Sequence, residues 1–352
     1  MSSWRNKLPS RHDRSAGARA RNSSERIVCV LNPRAQAGRA GDRVDVLRRA
    51  LDRSFAQADV VVSQGPGHAT ELAREAIRQG ADIVAAVGGD GTCNEVANGF
   101  FEGERPVRRS AVFAVIPWGT GSDLARSVRA PGGLDDALWV ASTGMTLPTD
   151  VGVVEFVDHD GQPDQRIFVN VAGFGANGDV VNRANQASKR LGGRLTFLQA
   201  TLGTLTLYEA PDVHIRWRGP AGEGAWDKRM LSCFVANGAR VGGGMNVGAG
   251  GSMHDGAFDL TVLPFKGRVR NIAESWRLYD GSVWRSGGAR RVYATWLHAE
   301  PKGTAPVLLD IDGEQPGRLP AIFRILPGAL QVRGGWLRSP LLRDEREVWR
   351  PR

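Results

Sequence analysis

The residues best suited to chemistry lie in Val87-Gly88-Gly89-Asp90-Gly91-Thr92-Cys93-Asn94-Glu95-Val96. The apolar run Ile83-Val84-Ala85-Ala86-Val87 before them reads as a buried strand, and Asn94 to Phe100 reads as the start of a helix. Gly88, Gly89 and Gly91 at such a junction let backbone N–H groups approach a ligand with no Cβ in the way, and a helix N-terminus behind them favours an anion. Asp90 would repel a bare phosphate, so it suits a site where it handles a metal ion, a bound water or a ribose hydroxyl. A nucleotide carrying Mg²⁺ meets both requirements. Taken alone, the stretch reads equally as a glycine-rich turn in which Asp90 caps the helix, because short glycine motifs are weak signals.

Other segments carry chemistry only in combination. The strand Arg26 to Leu31 stops at Asn32-Pro33-Arg34-Ala35-Gln36-Ala37-Gly38-Arg39, and a helix follows through Val44, Leu47, Leu51 and Phe55. Arg39 and Arg43 there are either phosphate contacts or a solvated helix start. Ala58 to Val62 is a second strand, and Ser63 to Ala69 turns into a helix with Leu72, Ala73, Ala76 and Ile77 on its apolar face, His68 being a cap or packing residue. Ala111 to Ile116 leads into Pro117-Trp118-Gly119-Thr120-Gly121-Ser122-Asp123-Leu124-Ala125-Arg126, which by itself reads as a helix start capped by Asp123. Leu309-Asp310-Ile311-Asp312-Gly313-Glu314 reads as a strand ending in a hairpin, since Asp-Gly is a strong turn signal.

These segments need a scaffold. Strands alternating with helices from Arg26 to about Leu147 predict a doubly wound α/β domain on a parallel sheet, with the glycine-bearing loops at the strand ends where ligands bind. The pattern then changes to short strands at Thr149–Val154, Arg166–Val171, Val213–Trp217, Met230–Ala236, Phe258–Leu263, Val307–Ile311 and Ala321–Leu326, which predicts an all-β, sandwich-like second domain. One helical insert, Asp179 to Leu207, has Phe197, Leu198, Leu202 and Leu205 for a face that meets either the core or a lipid. The expected divisions are a basic tail over 1–25, a nucleotide-binding domain over 26–147, a β-rich domain over 148–332 and an extension over 333–352.

A chain of 352 residues is long enough for two domains with their own cores. Cys29, Cys93 and Cys233 have no paired spacing, so neither a disulfide framework nor a zinc site is expected, in keeping with a reducing cytoplasm. No apolar run reaches the roughly 18 to 20 residues that span a bilayer, and no signal-peptide core is present, so a cytoplasmic protein, soluble or at the inner membrane face, is expected. More than half of the net charge of +9 lies in the tail. The tail reads either as a solvated leader or as attracted to anionic lipid head groups, at about 1 kcal/mol per basic residue near the surface. Nucleic acid is not an expected partner, since no reading module accompanies the charge. A homodimer is compatible with the pattern.

Together the motifs resemble the diacylglycerol kinase catalytic domain family. The Gly-Gly-Asp-Gly-Thr loop is shared with NAD kinases and phosphofructokinases, but Pro117 to Arg126 is similar to the segment of diacylglycerol kinase-like and sphingosine kinase-like enzymes, with Ser122 where asparagine is usual. Phe168–Gly175, Ala236–Gly244 and Met253–Leu260 resemble the second-domain motifs of this family. The resemblance implies a Rossmann-like NAD kinase/diacylglycerol kinase-like first domain and an ATP- and Mg²⁺-dependent lipid kinase acting on a lipid hydroxyl at the membrane surface. It implies nucleotide contacts from Asn32, Gly38, Arg39, Ser63, Gly88, Gly89, Asp90, Gly91, Thr92, Asn94, Glu95, Gly119, Thr120 and Asp123. It further implies a structural Mg²⁺ held by Asp255 with the carbonyls of Ser252 and Ala257, linked by hydrogen bonds to Asp150. His254 departs from the second acid common there. Asp312 is implied as the base, with Glu314 beside it.

Overall fold

The computed structural model describes residues 23–33, 40–118, 123–186, 193–248, 251–285 and 289–335. Gly38, Arg39, Gly119 and Thr120, the tail before Ser23 and the extension after Gly335 lie outside the described residues.

The first domain is built on β1 (Ser23–Leu31), β2 (Phe55–Val62), β3 (Ile83–Gly88) and β4 (Val112–Pro117), all parallel, in the spatial order β2-β1-β3-β4. Its helices are α1 (Ala40–Leu51), α2 (His68–Arg78), α3 (Asp90–Gly99), the short α4 (Asp123–Ser127) and α5 (Leu134–Thr143). Because β1 has a neighbour on each side, both of its faces are buried, and its residues are apolar in succession. Ile27, Cys29 and Leu31 pack with α1 and α5, whereas Val28 and Val30 pack with α2 and α3. β1 starts ahead of the expected Arg26: the Ser23 N–H donates to the Ser54 carbonyl at 3.0 Å, and Arg333 donates to Glu25 at 2.6 and 2.9 Å.

The chain leaves β1 toward β2 and returns on its other side as β3, so the topological switch point lies between the ends of β1 and β3, where open α/β sheets bind ligands. Asn32 and Gly88 sit there. The Asn32 N–H reaches the Val87 carbonyl at 3.3 Å.

The second domain contains β5 (Met145–Asp158), β6 (Pro163–Phe168), β7 (Val171–Gly175), α6 (Ala176–Gln186), α7 (Gly193–Leu207), β8 (Asp212–Gly219), β9 (Gly222–Ala236), β10 (Phe258–Pro264), α8 (Arg268–Asp280), β11 (Arg290–Ala294), β12 (Trp296–Pro301), β13 (Leu309–Ile311) and β14 (Gly317–Gly334). Its core joins Phe168, Phe174, Phe258 and Phe323, with Phe168 stacked on Phe258 at a centroid distance of 5.5 Å. The two domains share one 14-stranded hydrogen-bonded sheet. β14 is the seam: it runs antiparallel to β5 and β12 and then, over Gln331–Arg333, parallel to β4.

Some elements differ from expectation. The single helical insert is two helices, α6 and α7; Leu205 is buried and Leu202 exposed, while Lys189 to Gly192 and the side chains of Phe197 and Leu198 lie outside the described residues. Helix α8 was not expected, and neither were β11 and β12. The inner face of α8 carries Asn271 and Glu274 besides Ile272 and Leu278, with Glu274 held by Lys266 at 3.3 Å, so it shows no apolar period.

Candidate active site

Gly89 is the N-cap of α3 and makes no side-chain cap bond there. Asp90, the first residue of α3, caps a different helix. Its carboxylate accepts the Asp123 N–H at 3.1 Å and the Leu124 N–H at 3.0 Å, fastening the start of α4 to the glycine loop. Asp123 in turn accepts the Gly243 N–H at 2.7 Å and is paired with Arg126. Two loops expected to contact the nucleotide and a second-domain loop are thus tied together by the carboxylates of Asp90 and Asp123. Asp90→Ala should abolish ATP-dependent activity and also lower stability by about 0.5–2 kcal/mol, as loss of a cap does. Thermal melting alongside a turnover assay checks this; unchanged turnover in the folded variant would leave the loop a purely structural turn.

The opposing wall is the turn after β13. Ile311 and Glu314 exchange backbone hydrogen bonds at 2.8 and 3.0 Å, and Asp312 and Gly313 between them have φ of +49° and +85°. Positive φ at both central residues is the tight hairpin turn that Asp-Gly favours. The buried Asp312 carboxylate accepts four hydrogen bonds: from Asn94 Nδ2 at 3.0 Å and from the N–H groups of Val169, Asn170 and Val171 at 2.8, 3.0 and 2.8 Å. Burial pushes this carboxyl up, and the four donors pull it back. Asp312 is thus a latch that joins α3 to β6, β7 and the turn. The expected base has its acceptor positions occupied.

Glu314 is exposed and faces the loop itself. Its Oε1 lies 2.9 Å from where a Cβ on Gly91 would stand, so this carboxylate sits directly against the glycine loop and a side chain at 91 would have to displace it. Asn94, Glu95 and Glu314 help line a cleft of about 640 Å³ between α2, α3 and the β5–β6 hairpin, which also presents Arg74 and Arg166. Such a volume is ordinary for a small-molecule site. Glu95 also accepts the Ala69 N–H at 3.2 Å at the start of α2. Ser63 is buried at the end of β2, its N–H on the Leu31 carbonyl at 2.9 Å, next to Asn32. Gly88 ends β3, and Thr92 and Asn94 lie in the first turns of α3.

Asp310, which sequence reasoning passed over, is buried behind the turn and accepts the Gly313 N–H at 3.0 Å. Burial pushes its carboxyl up to about 7, with the charges of Asp312 and Glu314 adding to the effect. An acid raised on folding loses stability as pH climbs from the ordinary carboxylate range to that value. Between about pH 4 and 7 the melting temperature of the wild-type protein should therefore fall more than that of Asp310→Asn. Parallel pH curves for the two proteins would refute a protonated Asp310.

Residues 26–154 match the diacylglycerol kinase catalytic domain, and residues 170–334 match the YegS C-terminal NAD kinase beta sandwich-like domain. A Pseudomonas aeruginosa protein named probable lipid kinase YegS-like is 30% identical over 327 residues, spanning 91% of this chain and 97% of its own. The chain belongs to the YegS-like, diacylglycerol kinase-domain family of lipid kinases. A Bacillus subtilis diacylglycerol kinase is 29% identical over 262 residues, 73% of this kinase and 79% of that protein. In fold, this kinase is similar to a crystal structure of a Bacillus anthracis diacylglycerol kinase, with a TM-score of 0.64 at 20% identity, covering 90% and 97% of the two chains. The yeast NADH kinase shares the fold more distantly, with a TM-score of 0.51 at 12% identity, covering 93% of this chain and 88% of its own.

The loop expected to hold a structural Mg²⁺ follows the glycine-rich segment of the second domain. Asp255 is exposed there, and its Oδ1 accepts the Ala257 N–H at 3.2 Å. Burial of part of this carboxyl pushes it up, and the charges of Asp150 and Asp259 add to the shift. Asp150 ties the loop down, accepting the Gly256 and Gly328 N–H groups at 2.7 Å each. Oxygen donors beside accumulated negative charge fit a hard cation. His254 meets the Pro148 carbonyl at 2.7 Å and so packs the loop. Among the described residues no cluster of three or more His, Cys, Asp or Glu side chains could hold a metal, so such an ion would depend on the carbonyls of Ser252 and Ala257.

Proposed function

We propose that this kinase transfers the γ-phosphoryl group of ATP to a hydroxyl of a lipid such as diacylglycerol or a sphingoid base, with Glu314 taking the hydroxyl proton. The observation that carries the reading is the Glu314 carboxylate poised over Gly91, where the second domain meets the phosphate loop. The alcohol oxygen bonds to the γ-phosphorus, the bridging P–O bond breaks, ADP leaves, and the proton passes to Glu314. Positioning and charge neutralisation dominate such transfers. Gly89, Gly91, Thr92 and Asn94 would place the nucleotide phosphates, while Asn32, Ser63 and Glu95 line its surroundings. Asp90 and Asp123 would hold the loops in register, and Mg²⁺, when bound, supplies neutralisation of phosphate charge. Asp255 with Ser252 and Ala257 would hold a second, structural ion. In this reading 26–147 carries the nucleotide and 148–332 presents the lipid.

Incubating the purified protein with labelled ATP and a panel of lipid acceptors, with NAD as a soluble acceptor, tests the proposal. Label in a lipid product is the expected result. Label in NAD alone would overturn it.

A further inference from the structure

Helix α8 has an outer face that the fold does not cover. At 100° per residue, Val269, Ala273 and Trp276 form one stripe along it, with Arg270 and Arg277 on one flank and Arg268 and Tyr279 on the other. Val269 is 84% exposed, Trp276 49% and Tyr279 37%, although a side chain of these types usually finds cover. The inner face is firmly seated: Asn271, Glu274 and Leu278 are buried, and Glu274 binds both Lys266 and Arg270 at 3.3 Å. Asp280 also projects from the outer face, but its carboxylate accepts the Ser282 N–H at 2.8 Å in the turn that ends the helix.

The position of α8 relates it to the active site. Tyr279 Oη donates to the Gly242 carbonyl at 3.4 Å, and the next residue, Gly243, donates to Asp123, which is itself bound to Asp90. The exposed stripe therefore borders the loop that closes on the phosphate site.

We infer that the outer face of α8 docks the protein on an anionic phospholipid bilayer, with Val269 and Trp276 entering the interface and Arg268, Arg270 and Arg277 meeting lipid phosphates. An apolar stripe with an aromatic ring and flanking arginines is the pattern of a helix lying in the membrane plane, and arginine stems reach up to head groups while their alkyl parts stay against the apolar zone. The charge complementarity favours a bilayer over a second copy of this basic chain. The inference rests on the reading that the acceptor is a membrane lipid, and it adds the surface by which the cleft is brought to it.

The test is co-sedimentation of the full chain with phosphatidylcholine vesicles, with and without phosphatidylglycerol, at low and high salt and without ATP. The Val269→Glu/Trp276→Glu protein should keep its melting temperature and partition about tenfold more weakly onto anionic vesicles. Binding carried by the basic tail is lost at high salt, whereas the apolar stripe acts there, so the difference should be greatest at high salt. Arg268→Gln/Arg277→Gln, which leaves every buried contact intact, should weaken only the low-salt binding to phosphatidylglycerol. Wild-type partitioning by the first variant at high salt would overturn the inference, as would a wild-type dimer that this variant loses. Because no turnover is involved, vesicle binding that depends on α8 would stand even if no lipid accepted phosphate.

Discussion

Glu314→Gln should lower turnover by about 10² to 10⁴, the usual contribution of a positioned general base, and leave the Michaelis constant for ATP close to that of the wild type. Glutamine keeps the size and reach of the side chain over Gly91, so the cleft and the turn at Asp312-Gly313 stay as they are. It cannot take up the proton that the alcohol must lose as the new P–O bond forms. A loss in turnover alone marks an interaction made in the transition state, and a raised Michaelis constant alone marks uniform binding. The melting temperature should be unchanged, because Glu314 is exposed and buries no core. Near-normal turnover in the folded variant would show that the proton goes elsewhere.

Asp312→Asn should behave differently, with stability and turnover falling together. Asparagine tolerates the positive φ of this position, so the backbone turn survives the change. The amide nitrogen, however, replaces an oxygen that accepts two hydrogen bonds: Oδ2 serves Asn94 and Val169, and Oδ1 serves Asn170 and Val171. Whichever way the amide is turned, a donor then faces two donors in a buried site, at a cost of about 1–3 kcal/mol for each group left unsatisfied. The latch between α3 and the second domain loosens, and Glu314, two residues on, loses its register with Gly91. Thermal melting and steady-state kinetics on the same preparation decide the matter. A large drop in turnover with an unchanged melting temperature and Michaelis constant would restore Asp312 as the base.

Much of the first domain was legible in the sequence because its signals are local. Continuous apolar runs at Ile27–Leu31, Ile83–Val87 and Val112–Ile116 announce strands buried on both faces, and glycines at their ends announce turns. The Asp-Gly pair announces the hairpin at Asp312 for the same reason: two residues determine the turn. The family, too, was legible, since Pro117 to Arg126 separates lipid kinases from others that share the glycine loop. What each acid does was decided by the tertiary structure. The hydrogen bond between Asn94 and Asp312 spans 218 positions of sequence, and no local pattern shows that Asp312 finds four donors while Glu314 faces the cleft. Asp90 looks like the cap of its own helix until folding brings α4 beneath it. The seam formed by β14 with β4, and the uncovered face of α8, likewise depend on which distant surfaces meet. Local backbone preference is written residue by residue, whereas the occupancy of a carboxylate's lone pairs and the cover over a side chain are properties of the packed chain.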